Sequence, residues 1–355
     1  MSLLIESFPP LPIGVKNGVG GMLGQRLYIG LGSAGKHFFY YDLAQPEQGW
    51  QRAADFVGTE RNDACYVVSN DNLYVFSGAG QREHEQSPVV LDDAYRFDAK
   101  TNLWTKLNTQ IPVGLLGASA CTLSTGELVF FGGYCKETFD SFVAKLSSID
   151  QKSQPEKHQS VLNEFMSRPV FGYGWNGDIW SFDLTLETWA ILDKNPFAAN
   201  CGAGIVQQGS TVTLIEGEIK PGLRSLQTKQ FQLHSSSHIS SKLCASIFDI
   251  QSQHEGLAGH FCGQMQGQIF AVGGAYFVGS QNNFNNHQWY THKGLTKHYS
   301  NSIWRFDGIN WHSERALSQG VAYGVSVSSG DTFYLLGGES KLGEAQTRCY
   351  ALSWQ

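Results

Sequence analysis

The feature that most restricts this chain is a short phrase written four times: "YYDLAQPEQGW" (40–50), "YRFDAKTNLW" (95–104), "WSFDLTLETW" (180–189) and "WRFDGINW" (304–311). Each reads as an aromatic strand, an Asp, a brief turn and a Trp that opens the next strand. An apolar run ending in glycine precedes each one: "LYIGLG" (27–32), "LYVFSG" (73–78), "LVFFGG" (128–133) and "IFAVGG" (269–274). Before these come strands of small residues, reached through tight turns at Asn70-Asp71, Thr125-Gly126 and Ser329-Gly330-Asp331. Those are residue types that accept positive φ at hairpin tips.

One unit is therefore four short antiparallel strands in sequence order, the kelch form of a β-propeller blade. Six copies can be counted, which makes the expected fold all-β, a six-bladed kelch-type β-propeller forming a single domain over 1–355. A chain of 355 residues would otherwise suggest two domains, but repeat folds exceed that expectation. Blade four (about 201–249) is degenerate and lacks the Trp, and blade six (about 319–354) stops before a fourth strand. "LIESFPPLP" (4–12) resembles the strand-and-proline ending "WTKLNTQIP" (104–112). The N-terminal strand is thus expected to pair with the last blade and close the ring, which removes the open sheet edges. The glycine doublets read as packing devices near a crowded axis.

The 1–2 turns are uniformly short and the 2–3 connections are not. Residues 134–178 and 275–301 are long insertions on one face, where long irregular segments usually carry function. Within the first, "ETFDSFVAKLSSID" and "EKHQSVLNEFMS" have helical spacing. This partly helical insertion in blade three suits a lid, a homodimer contact or simple packing. The formal charge of -6 comes with scattered basic residues, so no nucleic-acid groove is indicated. No apolar run approaches the roughly 20 residues of a membrane span, so no membrane insertion is expected. The opening "MSLLIESFPPLP" shows no export signal. The seven cysteines are odd in number and widely spaced, which reads as buried or isolated thiols and fits a reducing, cytoplasmic setting.

On the elaborate face, "LIEGEIKPGLR" (214–224) departs from the glycine doublet. It puts Glu218 at the start of a 2–3 connection, with Lys220 and Arg224 just beyond and a rigid Pro-Gly turn between. A carboxylate beside two cations at the mouth of a funnel suits acid–base work on an anion; a surface salt-bridge cluster is the plainer alternative. "GTERND" brings Arg61 and Asp63 to the same face, "SQGVAYG" brings Gln319 and Tyr323, and Glu339 follows its doublet as Glu218 follows Gly217. The 275–301 connection adds His292, Lys297 and Tyr299. No compact ligand spacing is present, so no metal is expected.

Five segments, "YIGLGSAG" (28–35), "GEIKPGLR" (217–224), "GGAYFVGS" (273–280), "GLTKHYS" (294–300) and "LSQGVAYGVS" (317–326), resemble the kelch-type N-acetylneuraminate epimerases, or sialic acid mutarotases. The likeness runs in order from about residue 9 to the C-terminus. It departs at Val321, where the family often carries a basic residue. The resemblance implies a bacterial, periplasmic, cofactor-free isomerase that interconverts the α and β anomers of sialic acid. It places the family's proton acceptor on Glu218 and its arginine on Arg224, with Lys220, Arg61, Asp63, Tyr323, Gln319, Glu339 and His292 as candidate substrate contacts. The chemistry fits: opening and re-closing a hemiketal needs one proton removed and another donated, and then both steps reversed. Competing expectations are a non-catalytic kelch module binding protein or glycan, and a sialidase-like hydrolase. The sialidase turn S-x-D-x-G-x-x-W is only partly matched by "SFDLTLETW".

Overall fold

A computed structural model describes residues 2–233, 239–248 and 253–355. Six four-stranded antiparallel sheets follow one another as the blades of a propeller. Blade one, for example, runs Val19–Leu23, Arg26–Gly30, Phe38–Asp42 and Trp50–Arg52. Blade four is complete despite its missing Trp, with Gly204–Gln208, Thr211–Ile215, Thr228–Leu233 and Ile239–Cys244. The last blade takes its outer strand from the N-terminus. Leu3–Phe8 pairs with Cys349–Trp354, Leu3 opposite Trp354 and Phe8 opposite Cys349.

The recurring Asp and Trp have separate jobs. Asp42, Asp98, Asp183 and Asp307 each accept the backbone N–H two residues on, at 2.7–2.9 Å, and so shape the 3–4 turn. The tryptophans staple blades together. The indole N–H groups of Trp50, Trp104, Trp189 and Trp311 donate to Pro9 O, Ala54 O, Thr109 Oγ1 and Ala245 O at 2.9–3.0 Å, each just past the outer strand of the preceding blade. Second strands such as Leu27–Gly30 are buried along their length, because neighbouring blades cover both faces of each sheet.

The glycine doublets answer to backbone conformation more than to crowding alone. In all six blades both positions have positive φ, and the first is occupied by Leu31, Ser77 and Glu216 as well as by glycine. The second is always glycine. At Gly217, with φ 82, a Cβ would lie 2.7 Å from Ala203 Cα. This contact lets the chain press onto the connection entering its own blade. The following residue then pairs with that connection: Ala79 with Asn62, Tyr134 with Leu116, Glu218 with Cys201, Ala275 with Ala258 and Glu339 with Ala322.

A second feature lies at the axis. One residue entering each blade (Asn17, Asp63, Gly117, Gly202, Gly259 and Tyr323) has φ between 53 and 70. Each of their N–H groups donates to the carbonyl of the residue before it in this series, at 2.6–3.1 Å, and Asn17 closes the circle onto Tyr323. The result is a continuous belt of six hydrogen bonds.

The blade-three insertion contains helix α1 (Lys136–Ser147) and helix α2 (Pro155–Met166), inside the two stretches of helical spacing. Pro155 occupies the first turn of α2, where its missing N–H costs nothing. Phe142 and Phe165 stack at 3.7 Å between the helices, and Tyr173 donates to Phe165 O at 2.8 Å. On its other side α1 holds the blade-two connection, with Val90 N–H donating to Asp140 at 2.7 Å. The insertion is thus packed onto blades two to four. Among the described residues, no helix is long and apolar enough to cross a membrane. All seven cysteines are unpaired, and five are buried.

Candidate active site

The belt opens into a cavity of about 820 Å³ that continues along the axis between the innermost strands. Its mouth is built from frame positions. Asn17, Asp63 and Tyr323 contribute from the belt, and Tyr134, Glu218 and Glu339 from the residues that follow the doublets.

Glu218 is where the sequence puts it, on a short ribbon in which Glu218–Lys220 pairs with Leu223–Arg224. Its backbone exchanges bonds with Cys201, N–H to Cys201 O at 2.8 Å and O from Cys201 N–H at 2.9 Å. Gly222 N–H donates to its Oε1 at 3.3 Å across the Pro-Gly turn. The Glu218 side chain remains 20% exposed, towards the cavity, while Arg224 behind it is 1% exposed. Arg224 Nη1 stands 2.9 Å from Glu218 Oε1, at ion-pair distance but without the alignment of a hydrogen bond. The guanidinium is anchored by Nε to Ala275 O at 3.0 Å and lies over Phe277. Arg224 therefore does not face the cavity. Instead of presenting its charge to an anion at the funnel mouth, Arg224 is a buried cation set behind Glu218.

Other expected contacts also lie elsewhere. Lys220 is fully buried, and its ammonium donates to the carbonyls of Met166, Arg168 and Trp289 at 2.5–3.1 Å. It fastens the two long insertions to the Glu218 ribbon, and burial lowers its pKa to about 8. Arg61, 1% exposed, turns between blades to Ser77 O and Asp93, at 3.0 and 2.9 Å. His292 covers the Pro-Gly turn, its ring 4.9 Å from those of Phe277 and Tyr290. Burial, helped by the charges of Arg224 and Lys220, lowers its pKa to about 4. Gln319 is half-buried and does not line the cavity. Val321 packs in an apolar cluster with Phe261 and Leu317.

Asp63, Tyr323 and Glu339 do reach the cavity. Glu339 is held by Lys16 and Lys297, both at 2.5 Å, and by the Tyr299 hydroxyl. Burial pushes its pKa up, but these three partners outweigh burial and bring it down to about 2. Lys297 also lies 5.3 Å from the ring centre of Tyr323, and it is the lysine among the lining residues. Residues that sequence reasoning left out are Asn17, Tyr134 and His260. His260 is buried with both ring nitrogens unpartnered, and burial, with His254 nearby, lowers its pKa to about 3. The missed signal was positional: Tyr134 follows its doublet as Glu218 does, and Asn17 enters its blade as Asp63 does.

The cavity thus offers a fixed carboxylate on one wall, a lysine on another and aromatic surface between them. That set can hold an anion and move a proton. Comparison with known proteins points the same way. Residues 8–355 match the model of the family described as N-acetylneuraminate epimerase. A Vibrio cholerae protein named as a kelch domain-containing protein is 49% identical, covering 99% of both chains. A Vibrio vulnificus N-acetylneuraminate epimerase is 38% identical, covering 99% of this chain and 91% of that one. The solved structure titled "Structure of YjhT" superimposes with a TM-score of 0.90 at 30% identity, covering 96% of this chain and 95% of that one.

Proposed function

The chain belongs to the N-acetylneuraminate epimerase family, and from that premise we propose that it interconverts the α and β anomers of N-acetylneuraminate by acid–base opening and closing of the sugar ring. The observation that carries this reading is Glu218, a carboxylate turned to the cavity and backed by a buried arginine at 2.9 Å. Arg224 stands behind the carboxylate and leaves its other side open to the cavity, where it can accept the anomeric hydroxyl proton. Once protonated, Glu218 returns the proton when the ring re-closes on the other face of the carbonyl. Lys297, at the cavity wall and already beside Glu339, is the cation placed to meet the substrate carboxylate. Aromatic surface from Tyr134 and Tyr323 suits the sugar's apolar face. General acid–base catalysis of this kind contributes about 10²–10⁴-fold, which suits a reaction that already proceeds without an enzyme.

The test is to release α-N-acetylneuraminate from a sialoside and follow the two anomers by proton NMR with and without the protein. Faster decay to the equilibrium mixture, with the same final ratio, is the expected result. A rate equal to the spontaneous one would leave a sugar- or protein-binding kelch module in its place. Release of the aglycone from the intact sialoside would point to a hydrolase.

A further inference from the structure

The belt around the axis divides into two arcs. Blades three, four and five contribute Gly117, Gly202 and Gly259, and blades six, one and two contribute Tyr323, Asn17 and Asp63. Positive φ alone does not require glycine here, since Asn17, Asp63 and Tyr323 adopt it at φ 53, 53 and 59. Nor does crowding require it at Gly202, where a Cβ would approach nothing closer than 3.5 Å. At Gly259 a Cβ would strike the Tyr323 ring, but Gly202 needs no such relief, and it keeps the well open beside Glu218, leaving bare backbone on which a sugar ring can rest. Across the axis from that backbone stand the three side chains.

Of these, Asp63 is the one that titrates as a carboxyl. Its backbone does a structural job in the belt, donating to Asn17 O and accepting from Gly117 N–H. Its side chain does none: among the described residues no hydrogen bond or ion pair holds it, and it is exposed to the cavity. A free carboxyl that a glycine could replace without breaking the belt is kept for another reason. Resting on the mutarotase reading above, we infer that Asp63 is the partner acid of Glu218, giving a proton to the ring oxygen while Glu218 takes one from the anomeric hydroxyl.

The step balances. The anomeric O–H proton passes to the Glu218 carboxylate, and its bonding pair forms the carbonyl. The bond from the anomeric carbon to the ring oxygen breaks, its pair stays on that oxygen, and the Asp63 proton completes the new hydroxyl. After rotation about the bond beside the carbonyl, the hydroxyl attacks the opposite face and returns its proton to Asp63. Glu218 then gives its proton to the carbonyl oxygen.

The surroundings of Asp63 suit this role. Although the carboxyl opens onto the cavity, the surrounding ring of blades keeps most bulk water from it, and this desolvation pushes its pKa up first; the facing charges of Glu218 and Glu339 add to that. Lys16 and Lys297 pull the other way, and the balance is a pKa of about 7. The other titratable neighbours, Tyr134, Tyr323 and Cys201, are themselves pushed upward by burial and stay neutral. An anionic substrate in the same well would raise Asp63 further, so the protonated form is the one present in the complex.

The test is Asp63→Asn, which Asn17 shows the belt can carry at the same φ. Enzymatic anomerisation, after subtraction of the spontaneous rate, is measured against pH. For the wild type, kcat/KM is expected to fall as pH rises through about 7, where Asp63 loses the proton it donates. The Asn variant is expected to lose about 10²-fold or more in kcat with KM little changed, and its residual rate to lack that alkaline limb. Asp63→Gly, which reproduces the belt residue of three other blades, should show the same loss. An Asn variant that keeps both rate and alkaline limb, or one in which only KM rises, would overturn the assignment while leaving the mutarotase reading intact. A wild type that does not accelerate anomerisation at all would overturn both.

Discussion

Blades four and five share one frame and differ in what it carries. In each, the second strand ends in two left-handed residues, and the next residue pairs with the incoming connection. Blade five writes this as Gly273, Gly274 and Ala275, and blade four as Glu216, Gly217 and Glu218. The two acids of blade four have opposite environments. Glu216 is fully buried, accepting Leu257 N–H at 2.6 Å and facing His254 Nε2 at 2.6 Å. It ties blade four to the segment that leads into blade five. Glu218 is left on the cavity wall. Blade five is not idle, because Ala275 O anchors Arg224, the cation behind Glu218. The repeat supplies this frame position in five blades, and at four of them, Ala79, Tyr134, Glu218 and Glu339, the residue reaches the cavity.

The comparison can be broken by converting one blade towards the other. Glu218→Ala writes the blade-five residue into blade four. The sheet should fold unchanged, and the catalysed part of the rate should fall by about 10²–10⁴-fold. Arg224→Met should be the most damaging change to stability. It removes a buried cation from its carboxylate and takes from Ala275 O one of its two donors, the other being Ala258 N–H, a loss of about 3 kcal/mol or more in chemical denaturation. Glu216→Gly, again the blade-five residue, should cost about 1–3 kcal/mol by orphaning the buried Leu257 N–H. The folded fraction should keep its activity, because Glu216 does not face the well. If activity is lost along with Glu216 while the protein stays folded, the division of labour between the two acids is wrong.

The smallest effect concerns Glu339, the blade-six residue at the same frame position as Ala275 and Glu218. Its folded pKa of about 2 lies below the ordinary value of 4.5. Its contribution to stability is therefore complete above about 4.5 and lost as pH falls from there through about 2. Glu339→Gln should flatten that acid limb in a pH series of thermal melts.

The fold was legible because its signals repeat. Asp at the turn and Trp on the outer strand each make the same bond in blade after blade, so position in the phrase determines position in the sheet. Ring closure by the N-terminal strand could be read from "LIESFPPLP" for the same reason. Even the blade without its Trp kept its four strands. The site was legible only as far as the frame extends. Glu218, Asp63, Tyr323 and Glu339 sit at frame positions and reach the cavity. Arg61 lies two residues before the belt, where sequence shows which face the chain is on but not which way a long side chain turns. It turned between blades, towards Asp93. Lys220 and His292 depend on how two insertions fold back over the ribbon, and those contacts involve carbonyls of Met166, Arg168 and Trp289 that leave no mark in the sequence.

The most direct measurement compares wild type with Glu218→Gln, a near-isosteric change that removes the base but keeps the shape of the ribbon. Both proteins are given freshly liberated α-N-acetylneuraminate, and the decay of its signal is timed by proton NMR. The expected outcome is rapid equilibration with the wild type and a decay indistinguishable from buffer with the folded variant. Equal acceleration by the two would show that proton transfer in this well does not pass through blade four.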